Sequence, residues 1–254
     1  MNRMKKALKI FGIVIAVLIV GMYAYLSITT ARNNAAPAAE ALAAMESDGR
    51  VIVKYDDYLT LTPAAATPKT GIVFYPGAYC DVRGYTPVWK EVAAQGYLVV
   101  TPKMPFDFAI FSPDAADEVR AAHPEIEQWI IAGHSMGGAM AGVYADNNRD
   151  NLAAVIVFDS YPPGSNSLAD ADLPILLFER ARADGSRSQK FIDNANLYPE
   201  SAELNLIPGA QHMYYGSFDG GSYQEEWSPG IERDAMQKIV IDRVNAWLAE
   251  NFPS

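Results

Sequence analysis

Five apolar runs of five or six residues recur along the body of this chain, each too short for a helix: Gly71–Tyr75, Tyr97–Thr101, Gln128–Ala132, Ala153–Phe158 and Pro174–Phe178. Stretches of helical period and length, Thr86–Gln95, Pro113–Ala122 and Gly138–Asn147, lie between them. Short continuous apolar runs alternating with helices are the pattern of parallel strands buried on both faces. Ahead of them, Val51–Tyr55 and Tyr58–Thr62 alternate in polarity about Asp56-Asp57 and read as a hairpin. The tail, Arg233–Glu250, reads as an amphipathic helix burying Ile239, Val240, Val244, Trp247 and Leu248. The expectation is an α/β fold: a single-domain, doubly wound, mostly parallel sheet over residues 49–254 with an N-terminal hairpin. No large cap fits, because only residues 160–173 separate Asp159 from the strand beginning at Pro174.

The N-terminus has a different character. From Ile10 to Ile28 run nineteen residues without a charge, and a helix of that length spans roughly 28 Å, close to the hydrocarbon thickness of a bilayer. Arg3, Lys5, Lys6 and Lys9 precede it, and Tyr23 and Tyr25 lie toward its far end. The positive-inside rule and the interfacial preference of tyrosine give a cytoplasmic stub at 1–9, a transmembrane signal-anchor at 10–28 and a body outside the cell membrane. A cleaved signal peptide is the rival reading, with Thr29-Thr30-Ala31 as a mediocre cleavage site and a secreted product. Residues 29–36 read as a polar tether and 37–48 as a short helix opened by Pro37 and closed by Gly49.

Composition removes several function classes. Beyond Arg32 the chain carries 15 bases against 30 acids, a balance that repels nucleic acid. One cysteine, Cys80, leaves no disulfide framework, and three histidines make a zinc cage improbable. No cofactor is expected.

The chemistry starts at Gly133-His134-Ser135-Met136-Gly137, a G-x-S-x-G motif between the strand 128–132 and the helix 138–147. A sharp strand-to-helix turn forces a serine into a strained backbone and projects its oxygen from the carboxyl edge of the sheet. Ser135 is therefore the expected nucleophile; the plain alternative is a tight glycine turn. A serine needs a base. His212 is the best placed, in the loop Pro208–His212 after the apolar run Ala202–Ile207. His134 occupies a variable elbow position with its ring expected to point away, and His123 reads as a surface residue. The acid that orients the base falls between Ser135 and His212 in chain order. Asp184 is the first choice and Asp159, directly after the strand 153–158, the second. Two backbone N–H groups are needed for the oxyanion: that of Met136, and one from Pro76-Gly77-Ala78-Tyr79, where Ala78 is preferred and Tyr79 is the fallback. The aromatic, glycine-rich and acidic stretch 213–227 reads either as a lid or pocket wall or as a packed surface loop. Lys103 faces the cleft or pairs with a surface acid.

These residues resemble the alpha/beta-hydrolase superfamily, in particular its compact fold-5 type related to dienelactone hydrolases. The likeness extends to Phe74–Ala78, Gly96–Val100, Pro102–Pro105, Ala115–Val119, Gly133–Gly138 and Pro208–His212, and covers roughly residues 40–250. It implies a Ser135–Asp184–His212 triad that hydrolyses an ester-like bond without a cofactor. Two departures stand out. The acid-bearing turn reads Glu179-Arg180-Ala181-Arg182-Ala183-Asp184 where relatives have a short Gly-Thr-x-Asp type of turn, and the elbow carries serine where dienelactone hydrolases carry cysteine. The expectation is an outward-facing, membrane-anchored carboxylesterase of bacterial type acting on a small-molecule or lipid-like ester. Its rivals are an envelope acyltransferase or thioesterase using the same serine, and an inactive anchored binding protein on the same fold, which the altered acid turn would favour.

Overall fold

A computed structural model of the chain describes residues 2–254; Met1, the first residue of the expected stub, lies outside them. The helices are α1 (Asn2–Asn33), α2 (Ala39–Ala44), α3 (Thr86–Ala93), α4 (Ala115–Ala122), α5 (Met136–Asn147), α6 (Gln189–Asp193) and α7 (Arg233–Asn251). The strands are β1 (Ala35–Pro37), β2 (Val51–Tyr55), β3 (Tyr58–Pro63), β4 (Thr70–Tyr75), β5 (Leu98–Pro102), β6 (Gln128–His134), β7 (Ala154–Phe158), β8 (Ile175–Ala181), β9 (Glu203–Pro208) and β10 (Phe218–Gly220).

β2 to β9 form one eight-stranded sheet in the order β2-β3-β5-β4-β6-β7-β8-β9. The hairpin β2–β3 joins β5 antiparallel, and every pairing from β5 to β9 is parallel. β4, β5, β7 and β8 are buried at every position, as continuous apolar runs require when helices cover both faces. One face packs Phe74, Trp89, Phe158 and Tyr215 under α3 and α7; the other packs Ile131, Val157 and Tyr144 under α4 and α5. On α7 the inward side is Met236, Val240, Val244, Trp247 and Leu248, while Ile239, expected there, is 39% exposed. At roughly 100° per residue the five inward residues span an arc of about 120°, and Ile239 falls about 60° outside it.

The N-terminal segment departs from the expected tether. α1 continues through 29–33, because no glycine or proline interrupts residues 22–36. β1 then pairs antiparallel with β10, and Ala35 also forms a bridge to Cys80. Over Lys5–Asn33, α1 is long and apolar enough to cross a membrane.

Candidate functional site

The parallel register brings the site together. His134 at the end of β6 pairs with Phe158 at the end of β7, so the next residues, Ser135 and Asp159, emerge side by side at the carboxyl edge of the sheet. Ser135 has φ 54° and ψ −124°, a region that costs an ordinary residue about 1–3 kcal/mol. The turn is held by Ser135 N–H donating to the Phe158 carbonyl (3.1 Å) and by Ser160 Oγ donating to the Ser135 carbonyl (2.5 Å). Two glycines make it possible. A Cβ on Gly137 would lie 2.1 Å from the Tyr75 carbonyl oxygen, and one on Gly133 would lie 2.4 Å from that of Gly137. Both neighbours are backbone and cannot rotate away. Gly137→Ala is therefore expected to destabilise the fold by about 1–3 kcal/mol or more, read as a lower urea midpoint at unchanged slope.

His212 lies beyond β9 in a short 3-10 turn, His212–Tyr215. Its Nε2 is 2.8 Å from Ser135 Oγ and its Nδ1 is 2.5 Å from Asp159 Oδ2. An ionised carboxylate only accepts, so Nδ1 carries the proton and Nε2 presents its lone pair to the serine hydroxyl. Asp159 is wholly buried. Burial alone would push its carboxyl up, but the bond to His212 and the positive charge of Arg180 hold it at about 2. Arg180 Nε donates to Asp159 Oδ2 (2.7 Å) and Arg180 N–H to Oδ1 (3.1 Å), which fixes the plane of the carboxylate.

The acid beside His212 is thus Asp159 and not Asp184. β8 runs on past Phe178 to Ala181, which carries the following turn out to the surface. There Asp184 is exposed, and its Oδ1 accepts from Ser186 N–H (2.9 Å) within a reverse turn closed by Gly185 at φ +83°. The basic pair that disturbed the expected turn is divided in role: Arg180 is buried against Asp159, while Arg182 is exposed. The altered turn therefore does not leave His212 without a carboxylate beside it.

On the other side of Ser135, the N–H groups of Met136 and Ala78 have no hydrogen-bond partner among the described residues. Met136 opens α5, where the first N–H groups are left over by the helix itself. Tyr79, the fallback, is occupied: its N–H donates to the Asp107 carbonyl (3.1 Å). The loop carrying Ala78 is fixed by Tyr85, whose hydroxyl accepts from Gly77 N–H (3.0 Å) and is hydrogen-bonded to His134 Nδ1 (2.8 Å). His134 therefore points inward, its ring 4.6 Å from that of His212. Burial, and next the nearby His212, hold His134 well below the ordinary imidazole value, so it stays neutral beside the base. The same loop includes Cys80, a buried thiol that burial pushes up to about 12, which disfavours the thiolate a cysteine nucleophile needs.

Ser135 and His212 lie between two cavities. One, of about 330 Å³, is lined by Asn33, Ala35, Ala78, Tyr79, Met213 and Tyr223 among others. The second, of about 280 Å³, is bounded by Met136, Ala139, Tyr161 and Phe191. A reacting carbonyl at Ser135 can thus place one substituent in each. Among the described residues no group of three or more histidine, cysteine or acidic side chains converges as a metal site. His123 pairs with Glu125 (3.1 Å), and Lys103 Nζ donates to the Asp56 carbonyl beside the Tyr55 ring; neither lines these cavities.

The model of the alpha/beta hydrolase family matches residues 71–227, a span that contains the elbow, Asp159 and His212. The chain belongs to that family. Solved structures agree on the fold. A dienelactone hydrolase from Anabaena variabilis superposes with a TM-score of 0.55 at 16% identity, covering 76% of this chain and 91% of its own. A soluble variant of monoglyceride lipase from Saccharomyces cerevisiae gives 0.56 at 11% identity, covering 82% and 96%. A ferulic acid esterase from Streptomyces cinnamoneus gives 0.50 at 16%, covering 74% and 68%. A search of curated sequences finds no match.

In this alpha/beta hydrolase the segment after His212 is a wall bolted to the catalytic edge. Tyr223 stacks on the His212 ring (4.2 Å, 24°) and, with Ser222 and Gln224, lines the larger cavity. Glu225 accepts from the N–H groups of both His212 and Met213 (2.9 Å each). Arg180 gathers the rest: its guanidinium donates to Glu226 (2.9 Å), to the Tyr223 hydroxyl (3.0 Å) and to Glu225 (3.3 Å), and lies 4.6 Å from the Trp227 ring. Of the two readings of this stretch, residues 222–224 bear out the pocket wall. The sequence pointed to neither Arg180 nor Glu225 in a supporting role. The signal was present in a strand reading Phe178-Glu179-Arg180-Ala181, whose charges need partners if it is buried.

Proposed function

We propose that this protein is a serine hydrolase acting on carboxylic esters, with Ser135 as nucleophile, His212 as base and Asp159 as the orienting acid. The observation that carries the reading is the unbroken chain from Ser135 Oγ to His212 Nε2 (2.8 Å) and from His212 Nδ1 to Asp159 (2.5 Å). Ser135 attacks the ester carbonyl while its proton passes to His212, and the oxyanion is held by the N–H groups of Ala78 and Met136. Collapse of the tetrahedral intermediate expels the alcohol, which takes the proton back from His212. Water, deprotonated by the same imidazole, then attacks the acyl-Ser135 ester; the acid leaves as the imidazolium returns that proton to Ser135 Oγ. Structural neighbours named as lipase and esterase support an ester substrate. The cavities beside Ser135, one with far more apolar than polar lining, suit an apolar or lipid-like group.

In the same proposal α1 is an uncleaved, single-pass anchor. Lys5, Lys6 and Lys9 lie at its cytoplasmic end and the catalytic body, from 49 to 254, lies outside. Contacts between the far half of α1 and the body, such as Thr30 Oγ1 to the Phe106 carbonyl (2.8 Å), favour retention over cleavage. The test is labelling of the full-length protein in detergent with a fluorophosphonate, beside Ser135→Ala. Labelling of the wild type and its loss in the variant is the expected result. A folded wild type that does not label sinks the hydrolase reading.

A further inference from the structure

α1 does more than tether the body, because its last turns are built into the site. Asn33 and Ala35 line the larger cavity at Ser135. Ten residues earlier, Tyr23, inside the charge-free run, meets Phe106 edge-on with ring centroids 5.3 Å apart. Between these points Thr30 and Asn34 bond the Phe106 carbonyl and the Asp107 carboxylate (2.8 and 3.2 Å). Phe106 and Asp107 both have positive φ, 56° and 57°, a conformation that costs roughly 1–2 kcal/mol per residue. Their loop then turns outward and exposes Ile110 (54%) and Phe111 (49%). Phe111 packs on Phe106 and Phe108, and Phe108 packs on Tyr79 in the cavity wall. One continuous apolar path therefore joins the membrane helix, the loop 105–111 and the rim of the site.

The depths agree. At about 1.5 Å per residue, Asn33 stands about 7.5 Å along the helix beyond Ile28, where the charge-free run ends. The head-group layer adds roughly 5–7 Å on each side of the hydrocarbon. The cavity wall at Asn33 thus falls at the outer edge of the head groups, about one head-group thickness from the lipid esters, while the Phe106 ring, beside Tyr23, falls within the hydrocarbon boundary. From this we propose that Ile110 and Phe111 insert into the outer leaflet beside α1, and that the substrate is an ester resident in that leaflet, drawn into the Ser135 cavity from the membrane side. The substrate assignment rests on the serine hydrolase reading; the membrane contact does not. An excess of acids over bases in the body directs the expectation toward neutral or zwitterionic lipids, since anionic head groups would be repelled.

Full-length protein reconstituted in phosphatidylcholine vesicles supplies the test. Ile110→Cys carrying an environment-sensitive fluorophore is compared with Lys69→Cys, at the opposite edge of the sheet, with buried Cys80 left in place. Quenching by lipid-borne spin labels at position 110 and not at 69 is expected; equal quenching at both positions, or none at 110, overturns the membrane contact. In parallel, Ile110→Asp is assayed on a vesicle-embedded diacyl ester and on a water-soluble short-chain ester. The expected result is a loss of at least about fivefold on the vesicle ester and less than about twofold on the soluble one. No selective loss overturns the leaflet substrate. Failure of the hydrolase reading shows itself separately, as absent fluorophosphonate labelling with the quenching pattern intact.

Discussion

Asp159→Asn is expected to lower kcat/KM on a soluble ester by about 10³–10⁴-fold, whereas Asp184→Asn should change it by less than about twofold. In the proposed mechanism, an asparagine at 159 removes the negative charge that stabilises the imidazolium formed when Ser135 attacks. Its amide can also donate to Nδ1, which moves the imidazole proton to Nε2 and takes away the lone pair facing the serine. Asp184 shares no partner with His212; its carboxylate caps an exposed turn through Ser186 N–H. The pH dependence follows the same geometry. His212 and Arg180 outweigh the burial that would raise the Asp159 carboxyl and hold it at about 2. A folded-state value below the unfolded one, about 3.9, means that the stabilisation is present above that value and is lost as pH falls toward 2. Between pH 5 and 9 Asp159 therefore stays ionised, and any acid limb of the rate profile in that range belongs to another group. Equal losses in the two variants, or a larger one in Asp184→Asn, would refute the assignment; circular dichroism of Asp159→Asn separates lost chemistry from lost fold.

Most of the scaffold was legible because its physics is local. Apolar runs too short for helices marked β4 to β8, and the glycines flanking Ser135 marked a turn that side chains would block. The acid was harder, since it depends on where a strand stops. Reading β8 as ending at Phe178 puts Asp184 in the first turn after it; in fact Glu179, Arg180 and Ala181 continue the strand. Glu179 and Arg180 are charged, and only partners outside the strand make them tolerable in a buried one: Asp159 and Glu226 for Arg180, Arg187 for Glu179. Register would have favoured Asp159, because parallel β6 and β7 of similar length deliver the residues after them to the same edge. The extension of α1 through the expected tether is the reverse case. Polar residues 29–33 suggested a loop, but without glycine or proline a helix already running had no reason to stop, and Thr30, Asn33 and Asn34 are used against the body.

Arg180→Leu is expected to destabilise the protein by about 3–5 kcal/mol, because it strands the charge of buried Asp159 beside an apolar side chain. The guanidinium is fully buried, and it bonds Asp159 and the wall residues Tyr223, Glu225 and Glu226. Removing it should loosen residues 222–226 and withdraw Tyr223 from the His212 ring, leaving the wall tied to the His212 loop by Glu225 and by the bonds of Trp227 to Ala210 and Gln211. Activity should fall more than about tenfold even below the unfolding transition, and amides of 222–226 should exchange faster than those of β6 and β7. Arg180→Lys keeps the charge but not the fork, since one ammonium cannot reach the carboxylate and the wall with the same geometry; it should restore part of the stability and leave the wall mobile. The two variants separate charge from geometry. If Lys restored both stability and activity in full, charge alone would suffice; if Leu were as stable and as active as the wild type, Arg180 would not be the bolt between the catalytic acid and the pocket wall.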